Sequence, residues 1–409
     1  MNTFLKIAWR NIARNKFRSL ITIAAVAVGL AALVFLRAFV DGADIQMVRN
    51  YTDLISGQVQ IHKLGFHKRM GLERSISDIE KLDSLIKSMP DIVAYSKKIK
   101  DFVLLGSAEQ SSGVLLFGIE PEQEKKVTKL HERIREGEFL SKDNDGQIVL
   151  GKTLLEILNV EVGDKVVVMG QAADGSLASA AYRICGVLDT GAEEIDKGIA
   201  LITLKAAQDL FVMDGRISEF TLRCGEVYEL DEAVKQLKSG LDPKVYEILS
   251  WEDISPMLKQ TLDFDRIFFD IILFIVLMVV ATGILNTILM GVLERIREFG
   301  IMLALGTKRG QIVLMVTLES LFLGLIGITC GLLLGVLASL YFGRQGIDLS
   351  IFGTAFESWY VGSVIYPRLF FRNLWLSSLA VFFISIVASL YPAWKAAKLK
   401  PVEAIRHFN

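Results

Sequence analysis

Four long stretches with almost no charge interrupt the mixed polar and apolar pattern of this chain. Three of them carry no charged residue, namely Ser19–Leu36 with 18 residues, Ile271–Leu293 with 23 and Asn373–Trp394 with 22. The fourth, Gly310–Gly343, has 34 residues and a single charge at Glu319. Because a helix needs about 20 apolar residues to cross the hydrocarbon of a bilayer, the pattern predicts four transmembrane helices.

The first uncharged stretch could also be the core of a secretory signal peptide. Its 18 residues exceed the usual core of roughly 7–15 residues, and no small-residue cleavage motif follows. We therefore favour an uncleaved anchor. The composition agrees with a membrane protein that has a large soluble part, since 52% of the residues are hydrophobic, 22% are charged and the mean hydropathy is +0.43.

Basic residues are concentrated in three segments that four membrane crossings place on the same side. Residues 1–18, 294–309 and 395–409 together hold 13 basic and 3 acidic residues. The positive-inside rule makes that side cytoplasmic. Residues 37–270 instead hold 29 basic and 40 acidic residues, which predicts an acidic external segment and argues against nucleic-acid binding.

The segment between the first two spans mixes two hydrophobic periodicities. Alternating runs such as Gln58–His62 and Lys165–Val168 predict strands, whereas helical spacing over Ser77–Met89, Leu230–Leu241 and Gly151–Leu158 predicts helices, the first of them capped by Ser77. The expected fold is therefore an α-helical membrane protein with four transmembrane helices and a large external α+β domain inserted between helices 1 and 2. Its mainly β part near 101–225 could form a second lobe.

Nothing in this external segment predicts a catalytic or metal site. His62, His67 and His131 have no metal-ligand spacing, and Asp143–Gly146 reads as a turn because Asn, Asp and Gly dominate turns. No glycine-rich phosphate loop with a following Lys-Ser or Lys-Thr occurs, so ATP hydrolysis would need another polypeptide. Cys185 and Cys224 could pair in a disulfide or could both be free thiols.

The most informative stretch is the short segment between the second and third spans. A helix is expected over Arg297–Leu305, with Gly306 in the left-handed position at its end and Thr307 capping the start of the next span. This helix is too short to be stable alone in water. Its apolar centre, Phe299–Leu305, is rimmed by charges, which is typical of a partner surface and equally of a helix lying on lipid headgroups.

Three motifs in the chain resemble those of the permease family of the lipoprotein-releasing, macrolide-exporter and cell-division ABC transporters, which includes FtsX-like and MacB-like permeases. The first motif has the form E-R-x-R-E-x-G-x-x-x-A-x-G, the second follows the last span, and the third is Trp9–Lys16 before the first span. The residues that match the first two motifs are Glu294, Arg295, Arg297, Glu298, Gly300, Ala304 and Gly306, and then Pro392, Ala393, Ala396, Ala397, Pro401, Val402, Glu403, Ala404 and Arg406.

The resemblance implies a subunit that is not itself an enzyme. Two permease chains, identical or homologous, would pair and bind two copies of a separate cytoplasmic ABC ATPase, which holds ATP and Mg and closes on binding ATP. The short helix would be the coupling helix, and the motion would reach the external domain without the cargo crossing the membrane. The coupling residues would be Glu294, Arg295, Arg297, Glu298, Phe299, Gly300, Ile301, Met302, Ala304, Leu305 and Gly306.

Length and layout are most similar to the lipoprotein-releasing branch of this family. That branch implies the release of lipoproteins from the bacterial inner membrane, with a periplasmic carrier as a further partner. Two alternatives stay open: a drug or peptide efflux permease that works with a periplasmic adaptor, and a signalling permease that activates an external partner. The sequence does not separate a homodimer from a heterodimer.

Other residues in and near the spans suggest packing or substrate contacts. Gly327, Gly331 and Gly335 predict a close helix contact, and Glu319, an acid within the third predicted span, could bond Asn286 or Thr282. The outer ends of the first two spans could line a cavity for acyl chains, although ordinary packing is the commoner explanation of such faces. These cavity residues are Leu36, Phe39, Val40, Met47, Phe264, Ile267, Phe268 and Ile271.

The expected organisation has nine segments, with both termini cytoplasmic and the chain crossing the inner membrane several times. Trp359 and Tyr360 fall in an external hairpin, where aromatic rings favour the membrane interface. The segments are an amphipathic cytoplasmic segment 1–18, span 19–40, the external domain 41–266, span 267–293, the coupling helix 294–309, span 310–342, the external hairpin 343–372, span 373–394 and a cytoplasmic tail 395–409.

Overall fold

The computed structural model describes residues 10, 12, 14, 16–225, 230–349 and 364–400. The chain divides into two compact units. The helical unit comprises residues 1–44, 262–348 and 364–409, and the sheet unit comprises residues 45–261 and 349–363. Trp359, Tyr360, most of the amino-terminal motif and the tail motif from Pro401 onward lie outside the described residues.

Twelve α-helices occur among the described residues, joined by a π-helical turn at Thr52–Ser56 and 3₁₀ turns at Leu72–Arg74 and Leu130–Arg133. The α-helices are α1 (Lys16–Tyr51), α2 (Ile79–Lys87), α3 (Pro121–Val127), α4 (Lys152–Leu158), α5 (Glu193–Gly198), α6 (Leu204–Phe211), α7 (Leu230–Gly240), α8 (Trp251–Ile254), α9 (Pro256–Glu294), α10 (Ile296–Ala304), α11 (Arg309–Gln345) and α12 (Phe371–Ala397).

The four predicted spans correspond to α1, α9, α11 and α12, which are long and apolar enough to cross a membrane. Each helix is longer than the uncharged run that predicted it, because charged residues at the ends continue the helical backbone. In α9, for example, the helix starts at Pro256, where the fixed φ of proline suits a first turn. The hairpin predicted from residue 343 begins only after α11 ends at Gln345.

Glycines on α11 bring it against α1 within the helical unit. Their spacing of four residues puts them on one face of α11, and any side chain there would overlap α1. A Cβ atom at Gly327 would lie 2.7 Å from Val26, one at Gly331 would lie 2.8 Å from the Ala27 carbonyl oxygen, and one at Gly335 would lie 2.8 Å from Val34.

The sheet unit contains a ten-stranded sheet, and a two-stranded ribbon (β11, Ile347–Asp348, and β12, Val364–Ile365) belongs to the helical unit. The sheet strands are β1 (Val59–Lys63), β2 (Ile92–Gly106), β3 (Ser111–Ile119), β4 (Ile134–Gly137), β5 (Gln147–Gly151), β6 (Lys165–Gln171), β7 (Leu177–Leu188), β8 (Ile199–Thr203), β9 (Glu219–Cys224) and β10 (Tyr246–Ser250). Their order is β10-β1-β9-β2-β3-β8-β5-β7-β4, and β6 pairs with β2 and β7.

The predicted boundary of a second lobe near residue 101 falls inside β2, which is one continuous strand paired with β9, β3 and β6. One sheet therefore includes strands from the mainly β part near 101–225 and strands from the rest of the external segment. Helices α4 and α6 bury Leu154, Leu158 and Phe211 in the core that covers one face of the sheet. The predicted cap at Ser77 is wrong, because α2 follows Asp78 and the Ser77 hydroxyl bonds the Asp78 carboxylate instead.

Candidate functional site

The short helix between the second and third spans is α10, and it starts one residue before the predicted position. Gly306 has φ +94°, as predicted for a left-handed residue after the helix. The Thr307 amide donates to the Met302 carbonyl over 3.0 Å and closes the last turn of α10. Thr307 therefore does not cap α11, which begins at Arg309 after Lys308, and that prediction is wrong.

The two sides of α10 differ in exposure. Phe299 is 1% exposed and belongs to the core formed by the four long helices. On the opposite side, Arg297, Ile301 and Leu305 follow one another at intervals of four residues, so they form one stripe. Leu305 is 82% exposed. We call Arg297, Ile301 and Leu305 the exposed stripe, and it is an apolar surface with a charge at one end.

Arg295 lies on the buried side of the same segment, with only 7% of its surface exposed. Its Nε donates to Oε2 of Glu298 over 2.7 Å, and its Nη1 donates to Oε2 of Glu319 on α11 over 3.2 Å. The guanidinium also lies over the Phe299 ring, 5.2 Å from the ring centre. One arginine thus joins α10 to α11.

The expected partners of Glu319 are not the observed ones. Thr282 donates to the Met278 carbonyl of its own helix, and Asn286 is exposed on α9. The sequence signal that points to the observed pair is charge complementarity: Glu319 is the one acid in the run Gly310–Gly343, and Arg295 follows the run Ile271–Leu293 after Glu294. That pairing was missed because it also requires the two helices to turn these residues toward each other.

Two arginines from the start of α1 and just before it reach the acids of the same segment. Arg18 donates to Glu294 over 2.6 Å, and Arg14 donates to Glu298 over 2.9 Å. Further along the same helices, the Thr22 and Thr287 hydroxyls are bonded at 2.9 Å. The basic residues that predicted a cytoplasmic amino terminus therefore also serve as specific ion-pair partners.

The ion pairs keep Glu298 charged. Burial by itself would raise the pKa of Glu298, but the hydrogen bonds and charges of Arg295 and Arg14 outweigh this effect and lower the pKa below its usual value. A carboxylate held between two guanidinium groups is a strong and oriented acceptor.

The predicted cavity residues are divided between different environments. Phe264, Ile267, Phe268 and Ile271 form an exposed face of α9, each between half and two-thirds exposed. On α1, Leu36, Phe39 and Val40 are partly buried, and Met47 is buried. The α9 face continues toward Phe274 and Ile275, so it extends beyond the predicted residues.

The cysteines and the possible metal ligands of the described residues were the other candidates for chemistry in this chain. Cys185, Cys224 and Cys330 are free thiols, and burial raises the pKa of Cys185 and of Cys224 to about 11. Within the described part of the chain, no three His, Cys, Asp or Glu side chains are grouped so that they could hold a metal ion.

Comparisons with known proteins match both units of the chain. Residues 19–239 match the MacB-like periplasmic core domain, and residues 271–401 match the FtsX-like permease C-terminal domain. The lipoprotein-releasing system transmembrane protein LolC of Neisseria meningitidis is 24% identical over 96% of each chain. The macrolide export ATP-binding/permease protein MacB of Bdellovibrio bacteriovorus is 24% identical over 98% of this chain and 61% of its own.

A solved structure, the periplasmic region of MacB from Actinobacillus actinomycetemcomitans, is similar to 53% of this chain and 97% of its own, with 18% identity and a TM-score of 0.35.

Proposed function

The chain belongs to the family of MacB-like and FtsX-like ABC transporter permeases, and from this premise we propose that it transmits the cycle of a separate ATPase to its external domain. The ATPase binds ATP and Mg, and this chain supplies no catalytic group. The exposed stripe of α10 is the surface to which the ATPase binds. Both chain termini then face the cytoplasm, and the sheet unit faces the outside of the inner membrane.

The single observation that supports this proposal most strongly is the division of α10 into two sides. Phe299 and Arg295 anchor the helix to its neighbours, while Ile301 and Leu305 are left exposed. A helix that only rested on headgroups would need no such anchoring by an ion pair. An anchored helix with an apolar outer stripe can receive force from a partner and pass it on.

The proposed work is the release of lipoproteins from the inner membrane, in association with a second permease subunit, identical or homologous, and a periplasmic carrier. LolC of Neisseria meningitidis, the relative named above, is a component of a lipoprotein-releasing system. The exposed apolar face of α9, with Phe264, Ile267, Phe268 and Ile271, suits acyl chains in its chemistry.

The docking step is tested with Leu305→Asp in the full complex. The charge replaces the most exposed apolar side chain of the proposed interface, so the ATPase subunit should no longer co-purify. The control is Leu177→Asp in the sheet unit, which makes the same change at a leucine that is 83% exposed. Loss of the ATPase from both variants, or from neither, would contradict the proposed docking surface.

The cargo is tested separately by mass spectrometry of the purified complex. Retained acylated protein supports lipoprotein release. Retention of small molecules or peptides together with an adaptor protein would instead indicate efflux, and a stable complex with an external enzyme and no cargo would indicate signalling. Either of the last two results would overturn the proposed cargo while leaving the coupling proposal intact.

A further inference from the structure

Arg295 forms bonds to carboxylates on two different helices. One carboxylate, Glu298, lies on α10, and the other, Glu319, lies on α11, ten residues after its start at Arg309. At 1.5 Å of rise per residue, Glu319 is roughly 15 Å along the helix. The arginine side chain therefore reaches a carboxylate well inside α11 and is itself largely buried.

The chemistry of this contact requires arginine. A guanidinium presents several N–H groups in a fixed plane, so its Nε and Nη1 can serve two acceptors at the same time. A lysine ammonium is a single point and lacks this geometry. Both members of the Arg295–Glu319 pair are largely buried, with side-chain exposures of 9% and 12%, so little solvent reaches either charge.

A second set of ion pairs extends the same contact to the start of α1. Glu298 accepts from both Arg295 and Arg14, and Glu294 accepts from Arg18. A cavity of about 10 Å³ is lined by Arg18, Arg295 and Glu319 together, which places the two sets of pairs side by side. Such a volume holds about one water molecule.

Helices α1 and α11 also contact each other directly, at residues farther along from these ion pairs. Gly327, Gly331 and Gly335 bring the two helices into direct backbone contact over two further turns. Helices packed this closely move together rather than slide, because packed interiors transmit displacement with little compression.

We infer that Arg295, Glu298 and Glu319 are positioning residues that join α10 to α1 and α11, so that displacement of α10 moves those two helices as one body. This inference rests on the proposed function. It reduces the ATPase-binding surface from all the predicted coupling residues to the exposed stripe. Three charged residues of the first motif then act inside this chain rather than at the interface with the ATPase, namely Glu294, Arg295 and Glu298.

The test uses Glu319→Gln and Arg295→Lys in the complete complex with its ATPase. Both variants should retain the ATPase subunit at the wild-type ratio, because the exposed stripe is unchanged. Substrate-stimulated ATP hydrolysis should fall about tenfold or more, the change expected from losing one charged hydrogen bond. The nucleotide-dependent change in hydrogen exchange of residues 45–261 should also be lost.

A charge exchange at the Arg18–Glu294 pair distinguishes positioning from general instability. Arg18→Glu and Glu294→Arg should each impair stimulation, and the double variant should restore it, since the pair is exposed enough to accept either polarity. Wild-type coupling in Glu319→Gln, or failure of the double exchange to restore coupling, would overturn the inference. A wild-type chain that binds no ATPase would instead overturn the proposed function itself.

Discussion

Both units of this chain bury charged side chains, but the partners are held in different ways. In the sheet unit, His62, Glu219 and Lys98 are neighbours across β1, β9 and β2. Lys98 also pairs with Glu124 over 2.8 Å. In the helical unit, Arg295 and Glu319 form an ion pair of 3.2 Å between side chains of two separate segments.

The difference lies in what fixes each partner. Backbone hydrogen bonds set the register of β1, β9 and β2, so His62, Glu219 and Lys98 cannot separate unless the sheet opens. Helices α10 and α11 have no backbone bonds to each other, so their ion pair can respond to a displacement. We expect loss of a buried partner to cost stability in the sheet and to cost coupling in the helices.

The largest effect is expected for Lys98→Met. This change leaves the Glu124 carboxylate buried without its cation, and removal of one member of a buried pair costs about 3–5 kcal/mol. Hydrogen exchange of the β2 amides in the full chain measures the loss. The control is Lys125→Met, whose partner Glu122 lies at the same 2.8 Å but on the surface, and it should change little. If Lys98→Met and Lys125→Met reduced the hydrogen-exchange protection equally, burial of the ion pair would not determine its contribution to stability.

A smaller effect is expected for Gly331→Leu in α11. The new side chain would meet the Ala27 carbonyl oxygen and Leu30 of α1, and overpacking of this kind costs about 1–3 kcal/mol. The control is Gly283→Leu on α9, where a Cβ atom would have nothing within 4 Å. Thermal unfolding of the two variants in the same detergent compares them. If Gly283→Leu lowered thermal stability as much as Gly331→Leu or more, the close α1–α11 contact would not explain the loss of stability.

The smallest effect concerns pH. Burial lowers the pKa of His62 below its usual 6.5, with Glu219 opposing this shift. As the pH falls below 6.5, the unfolded chain takes up a proton that the folded sheet resists, so stability decreases. His62→Gln should therefore reduce the loss of thermal stability between about pH 7 and about pH 5, whereas His67→Gln, at an exposed position, should not. An unchanged loss in His62→Gln would contradict this assignment.

Patterns local in sequence predicted the four long helices, several strands and the left-handed conformation of Gly306 after α10. Contacts between distant residues were harder to predict. The position of β9 between β1 and β2 depends on long-range pairing, so local strand patterns did not show that one sheet would join residues 101–225 to the strands on either side of them in sequence. The partner of Glu319 depends on how α10 and α11 are rotated about their axes, which the sequence pattern does not give, so the prediction named polar residues of the second span, Asn286 and Thr282, instead.

The capping predictions show the same limit at smaller scale. Ser77 and Thr307 have side chains suited to cap a helix, yet each helix starts two residues later, at Ile79 and at Arg309. At Thr307 the backbone is already used to close α10 through Met302. Residue type identifies a helix start only to within a residue or two.

The central claim is that an ATPase subunit binds the exposed stripe of α10. The most direct measurement places a photo-crosslinking amino acid at position 305 in the intact complex, with the same label at Leu334, an exposed leucine of α11, as the comparison. We predict a crosslink to the ATP-binding subunit from position 305 and none from position 334. Crosslinks from position 305 to lipid alone would contradict the claim.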